Sequence, residues 1–327
     1  MNDILAVRIS SRFIFVNLLP TMAVIFLVGG LLAAGAPGQA PSWRALEDSI
    51  SGLTLISALL AAFAVLVASV VLHPLAYPMI KVVEGYWGRF PFGAALSLRV
   101  SRRYRTWRQD LETYENEHGG TAEERAWLPP AGTPVLPTGL GNVLQAGEIR
   151  AGARYGYRTA DIWHRLSPLM SPAVRAEVSD TRNQMDTAAR LCVFGLLCVP
   201  ISMALLWNHE VWLLVPVGCY LFAWAAYRAA TAAAYRFCEA AAVAVDFHRL
   251  QLWDALSLAR PSNFLEEQTE MAALLCHVLG VGDGLYEDDM AKLTYSAAPA
   301  WLGGQVGSFP GQQQTPPPEG GGGVGAS

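Results

Sequence analysis

Charged residues are scarce in this sequence. Asp, Glu, Lys and Arg make up 15% of the chain, whereas 53% of it is hydrophobic. A soluble domain usually carries about 25% charge, so the composition points away from an ordinary soluble protein and predicts a membrane protein. Of the 23 basic residues only Lys81 and Lys292 are lysines. We interpret this preference for arginine over lysine as a genomic composition bias that has no bearing on function.

Cysteine pairs are also lacking. The chain has five cysteines and no CxxC motif, and none of the five lies in a loop that we expect on the outer side of the membrane. A disulfide framework is therefore not expected, and we predict small buried apolar thiols instead.

Catalytic motifs are missing from the sequence. It contains no HExxH, no Walker loop, no GxSxG and no paired Cys/His spacing. The nearest polar group is Glu239, Asp246 and His248; its two carboxylates share a helix face, but the histidine points elsewhere. This pattern favours a solvated or interhelical polar face over a metal or acid–base site. We therefore predict no catalytic residue, no cofactor and no metal.

Helix-breaking residues are absent between Gly218 and Pro261, and alanine is abundant there. Residues 211–258 are therefore predicted to form one helix, roughly 70 Å long. That is more than twice the thickness of a bilayer core of about 30 Å. Residues 211–227 carry no charge, whereas residues 228–258 carry both signs. We predict a transmembrane helix that continues as a cytoplasmic stalk.

Three more apolar runs are long enough to span a membrane: residues 13–36 and 52–72, which are uncharged, and residues 189–207, whose only charge is Arg190 at the start. The first could be a signal peptide, but its apolar core exceeds the usual length of about 7–15 residues, so a retained helix is predicted. Residues 37–51 are predicted as a short polar loop. Together with the long helix, these runs predict four transmembrane helices in two hairpins.

The other parts of the chain are predicted to lie in the cytoplasm. Residues 73–188 and 228–295 form a predicted helical module, interrupted by a Gly/Pro-rich linker at 118–138. Pro, Gly and Gln dominate residues 296–327, which are predicted to be a disordered tail. The predicted fold class is an all-α integral membrane protein.

The distribution of arginine and lysine predicts the orientation. With both chain ends in the cytoplasm, every basic residue except Arg44 lies inside, and the reverse topology would export nearly all of them. The loops between paired spans are short, which is where the positive-inside rule applies best. We predict a multi-pass protein of the bacterial plasma membrane with cytoplasmic termini.

A basic cluster follows the second predicted span, with Tyr104 and Trp107 among its arginines. Juxtamembrane clusters attract anionic lipid headgroups by about 1 kcal/mol per charge. The alternative is an anchor that pairs with the acidic end of its own helix. Nucleic acid is not an expected partner, because the cytoplasmic part as a whole is not basic. The cluster comprises Arg99, Arg102, Arg103, Arg105 and Arg108.

A stripe of residues with alternating spacings of three and four runs along the predicted stalk. Its small middle residues suit close helix packing. The same chain's cytoplasmic helices, a second subunit or another protein could cover it, and the sequence leaves all three open. This packing stripe consists of Tyr227, Thr231, Ala234, Cys238, Ala242 and Val245.

Four short segments resemble stretches of uncharacterised bacterial multi-pass membrane proteins. They are LGNVL at 140–144, RYG at 154–156, WHRL at 163–166 and DFHRL at 246–250. The resemblance implies a membrane family and no particular chemistry. The order hairpin, cytoplasmic helices, hairpin, cytoplasmic helices is also that of bestrophin-type anion channels, a resemblance in topology alone.

Three functions follow from this organisation. The leading prediction is a non-enzymatic membrane component that presents its helical module for assembly or partner binding. The alternative is an ion channel built from several copies, because four spans rarely enclose a pathway and three of the spans, 13–36, 52–72 and 211–227, contain no Asp, Glu, Lys or Arg. A membrane-embedded enzyme ranks third, since it needs a polar cluster at membrane depth.

Overall fold

The computed structural model describes residues 19–89, 92–119, 127–280 and 292–296. All the secondary-structure elements assigned within these ranges are helices, which confirms the all-α prediction for the described chain. The start of the first predicted span and nearly all of the predicted disordered tail lie outside the described residues.

Eleven α-helices are described, which we number in chain order. A π-helical turn, Glu267–Met271, separates the last two, and a 3₁₀ turn, Glu210–Leu213, precedes α9. The helices are α1 Leu19–Ala33, α2 Trp43–Ser51, α3 Leu55–Leu72, α4 Ala76–Glu84, α5 Gly93–His118, α6 Gly139–Ala153, α7 Thr159–Leu166, α8 Pro172–Leu206, α9 Leu214–Ala255, α10 Phe264–Glu266 and α11 Ala272–Leu279.

Helices α8 and α9 form an antiparallel pair around which the other helices pack. Near the connecting turn, Gly195 lies against Ala223, so the two backbones approach closely. At the far end, the Ser171 N–H donates to Nε2 of His248 over 2.9 Å. The pair therefore stays in register from one end of α8 to the other.

The uninterrupted helix predicted from the lack of helix breakers is confirmed. α9 continues for 42 residues, about 63 Å at 1.5 Å per residue. Pro216 lies within its first turn, where a missing N–H is tolerated. Its charged half is not a free stalk, because α6, α7 and α8 all pack against it.

The predicted polar loop at 37–51 is wrong, because α2 occupies most of it. Ser42 caps this helix, its Oγ accepting from the N–H of Ala45 at 3.2 Å. The Ser49 hydroxyl donates to the carbonyl of Ala33 at 3.0 Å and ties α2 to the end of α1. α2 meets α3 at 105°.

The predicted linker at 118–138 is packed where it is described. Leu128 is 1% exposed and Val135 is buried. The ring of Trp127 stacks on Tyr235 of α9 with 5.2 Å between centroids. The prolines and glycines of residues 127–138 therefore shape a segment that belongs to the core.

Two described helices, Pro172–Leu206 and Glu210–Ala255, are long and apolar enough to cross a membrane. A third is added if α2 and α3 count as one bent span, and the described part of α1 is apolar but shorter. Helices suited to a membrane are thus present, although the described chain supplies two or three rather than the predicted four.

Candidate functional site

A cavity of about 300 Å³ lies where α4, α6, α7, α8 and α9 meet. It is beside the charged half of the α8–α9 pair, away from their apolar ends. Five helices supply its wall, so residues far apart in sequence come together. The charged and hydrogen-bonding side chains in its wall include Lys81, Glu84, Gln145, Glu148, Thr159 and Arg182.

Lys81 and Glu84 form an ion pair on α4, with 2.5 Å between Nζ and Oε2. The rings of Tyr86 and Tyr77 lie 4.6 and 5.6 Å from the same Nζ. Burial lowers the pKa of Lys81, but the hydrogen bond and charge of Glu84 outweigh it, and the pKa lies above its usual value. The lysine is therefore a cation whose charge is already matched.

Arg182 of α8 is matched in the same way. Its Nε lies 3.2 Å from Oδ1 of the buried Asp186. Its guanidinium also lies 5.3 Å from the ring centroid of Phe237 on α9, within the range of a cation–π interaction. Both cations of the cavity wall thus have a carboxylate partner and an aromatic neighbour.

Two buried acceptor atoms in the wall have no such match, and the exposed carboxylate of Glu148 lies in the same wall. The Oε1 atom of Gln145 and the Oγ1 atom of Thr159 are buried and have no hydrogen-bond partner among the described residues. Each such atom costs about 1–3 kcal/mol if it stays unsatisfied. Desolvation by the surrounding protein raises the pKa of Glu148, while Lys81 opposes that shift.

Cys238 lines the cavity together with Gly147. A Cβ on Gly147 would overlap the Sγ atom of Cys238, so glycine lets α6 cross α9 at close range. Burial raises the pKa of this thiol to about 12. Cys238 is therefore held as the protonated thiol at neutral pH, whereas the reactive form of cysteine is the thiolate.

The structure places the packing stripe mainly against α6 of the same chain. The Leu140 N–H donates to the Tyr227 hydroxyl at 3.3 Å, and the Cys238 thiol contacts the Val143 carbonyl at 3.6 Å. Ala234 and Val245 are fully buried, and Thr231 and Ala242 are half-buried. Of the three partners left open by the sequence, this chain's own helix occupies the stripe.

The basic cluster lies on α5, and its members divide into two groups. Arg108 is half-buried and donates to the carbonyls of Pro130 and Thr133, at 3.3 and 2.9 Å. It fastens α5 to the packed segment. The other four arginines are exposed, and no ion pair joins them to another described residue: Arg99, Arg102, Arg103 and Arg105.

Glu239, Asp246 and His248 do not converge on a common point. His248 is buried, and because its Nε2 accepts from Ser171, its Nδ1 carries the proton and faces the Ala244 carbonyl at 3.0 Å. Glu239 is exposed on another side of α9. Among the described residues, no three potential ligands are grouped for a metal ion.

A buried network that the sequence did not reveal attaches the C-terminal helices. The Trp253 indole donates to the Tyr157 hydroxyl at 2.8 Å, which donates to Glu267 at 3.1 Å. Arg249 reaches the same carboxylate at 3.0 Å. Every member has a partner, so the network is a structural clamp. Glu267 is the first residue of the π turn between α10 and α11.

Sequence reasoning also missed the cavity, since none of its charged residues stands out locally. The one hint was Lys81, one of only two lysines in the chain. In comparisons with known proteins, no family model matches the chain, and no curated protein or solved structure matches it either. The resemblance to uncharacterised membrane proteins stays a prediction.

Proposed function

We propose that this chain is an integral membrane protein that presents a cytoplasmic helical module for assembly or partner binding and performs no catalysis itself. The observation that carries the proposal is a band of exposed apolar side chains at one end of the molecule. The band is shared by α3, α8 and α9.

On the α8–α9 pair, the exposed side chains change character at one level. Toward the connecting turn they are apolar, and toward the other end they include charged groups such as Asp180 and Arg228. Arg190 on α8 and Arg228 on α9 are the same number of residues from the Gly195–Ala223 contact, so charge begins at a similar height on both helices. The exposed large apolar residues of the pair are Leu196, Leu197, Ile201, Met203, Trp207, Val211, Leu214, Val217, Tyr220, Leu221, Phe222 and Trp224.

Helix α3 continues the same band. Its 18 residues rise about 27 Å, close to the bilayer core of about 30 Å, and nearly all of its large side chains are exposed. Such a surface would be aggregation-prone in water, whereas in lipid it requires no partner. α4 follows directly and packs Ile80 and Val83 into the cluster around Met185, on the charged side of the boundary.

Helix α1 supplies the fourth span in this arrangement. It contacts both α3 and α8, and Leu31 packs on Leu206 beside the turn. We place α1 with α3 as one hairpin and α8 with α9 as the other. Positive charge is concentrated on the module, so the positive-inside rule places the module and both termini in the cytoplasm.

Two surfaces of the module are open for partners. The four exposed arginines of α5 follow α3 closely in sequence, which suits contact with anionic headgroups. On the charged half of α9, Val243 and Phe247 lie one turn apart and are 42% and 70% exposed. That apolar pair provides a contact for a cytoplasmic protein.

Cysteine accessibility tests the topology. The five native cysteines are buried or half-buried and can be replaced by alanine. New cysteines at Ser51 and Asn208 should react with a membrane-impermeant maleimide in intact cells. Cysteines at Arg105 and Gln251 should react only after permeabilisation. Equal labelling of all four positions, or release of the protein by alkaline carbonate, would refute the proposal.

A further inference from the structure

The charges around the cavity do not cancel. Lys81 is paired with Glu84, and Arg182 with Asp186. Glu148 forms no ion pair with a described residue, and Asp161, which also acts on it, is paired with Arg158. One carboxylate in the wall of the pocket, exposed to solvent, is therefore left without a paired counter-cation.

The hydrogen-bonding groups show the same imbalance. Gln145 and Glu148 are three residues apart on α6, so they lie on neighbouring positions of one face. Thr159, 5% exposed, begins α7 in the same wall. The buried Gln145 oxygen can only accept, the carboxylate can only accept, and the threonine hydroxyl can do both. The unsatisfied groups of the cavity require donors.

Size and wall chemistry limit the ligand further. A volume of about 300 Å³ is at the lower end of small-molecule pockets. Trp163 and Phe237 add aromatic surface to the wall. An anion would find both local cations already paired, and a metal ion would find a single free carboxylate.

We propose that this cavity binds a small organic cation with several N–H donors, an amine or a guanidine. The Glu148 carboxylate supplies the counter-charge, and the Gln145 carbonyl and the Thr159 hydroxyl receive N–H groups. The cavity lies outside the apolar band, so binding can be measured whether or not the topology proposed above is right.

Agmatine, which carries both an amine and a guanidinium group, is the probe. Isothermal titration calorimetry on the purified full-length protein in mild detergent should show binding of agmatine. It should show none of 1,4-butanediol or succinate, a neutral and an anionic molecule with four carbons each. Equal binding of either control, or no binding of agmatine at millimolar concentration, would overturn the proposal.

Two substitutions locate the site. Glu148→Gln keeps the shape and removes the charge, so agmatine affinity should fall at least tenfold. Thr159→Val removes one acceptor and should reduce affinity severalfold. Glu270→Gln, on the exposed face of the π turn, is the matched control and should change nothing. If agmatine bound equally to the wild type and to both cavity variants, it would be binding elsewhere.

Discussion

A residue that is kept for ligand binding at a cost to stability can be recognised from the pH dependence of unfolding. Although the Glu148 side chain is exposed, partial desolvation by the surrounding protein raises its pKa in the folded state, so the folded chain holds this proton more tightly than the unfolded chain does. Ionisation of this group therefore destabilises the fold, and stability falls as pH rises through the raised pKa. The titratable groups around it are Lys81, Glu84 and Tyr86, then Asp161 and His164 of α7, Arg182 of α8 and Cys238 of α9.

Glu148→Gln should consequently raise the melting temperature at neutral pH, while it weakens agmatine binding. The gain should shrink as pH is lowered and Glu148 becomes protonated in the wild type. Thermal unfolding of both proteins across a pH series measures this, with Glu270→Gln as the control. A structural role for Glu148 predicts the opposite sign, a lower melting temperature in the variant.

Glycine at a helix crossing is the second residue-scale feature. Gly147→Ala would place a methyl group on the Cys238 side chain, so α6 and α9 would have to separate. Overpacking of this kind costs about 1–3 kcal/mol. Gly218→Ala is the matched control, since a Cβ at that helical position has no neighbour within 4 Å. Chemical denaturation should show a loss for Gly147→Ala alone, and equal stability of the two variants would contradict the close crossing.

At the scale of secondary-structure elements, the contacts of α2 with the other described residues do not determine its position relative to the membrane. None of its nine residues is buried, and it turns 105° away from α3. Trp43, Leu46 and Ile50 fall on one face at spacings of three and four. An amphipathic helix at the outer end of two spans is expected to lie in the plane of the interface.

Spin labels on α2 test that placement. Labels at Trp43 and Ile50 should be accessible to oxygen in the bilayer, and labels at Arg44 and Asp48 to a water-soluble nickel chelate. Power-saturation measurements in liposomes give both accessibilities. If all four labels were deep, α2 would instead be the first part of a bent span.

A comparison of individual elements shows which parts of the fold could be predicted from the sequence. α9 was predictable because its evidence is local: alanine-rich composition and no helix breaker. α2 was missed because charged residues in a short connection suggested a loop, although Ser42 is a good cap. The stacking of Trp127 depends on Tyr235 of α9, more than a hundred residues away. The cavity depends on five helices at once, and no local pattern encodes such a meeting.

At the scale of the whole molecule, the surface available for assembly is smaller than the sequence suggested. The packing stripe of α9 faces α6 through Tyr227 and Cys238, and another face of α9 is covered by α8. A ring of copies built on this stripe would require α6 to leave. We therefore expect native mass spectrometry in mild detergent to show a monomer or a dimer.

The Ala234→Leu variant tests whether Ala234 packs within its own chain or contributes to a contact between copies. Ala234 is fully buried against α6 and α8, so the larger side chain should lower stability by about 1–3 kcal/mol without changing the number of copies. Ala232→Leu, on an exposed position of the same helix, should change neither quantity. A closed assembly of four or more copies that Ala234→Leu dissociates, with stability intact, would favour the ion channel instead. Ion flux through liposomes containing the wild-type protein would then be the decisive measurement.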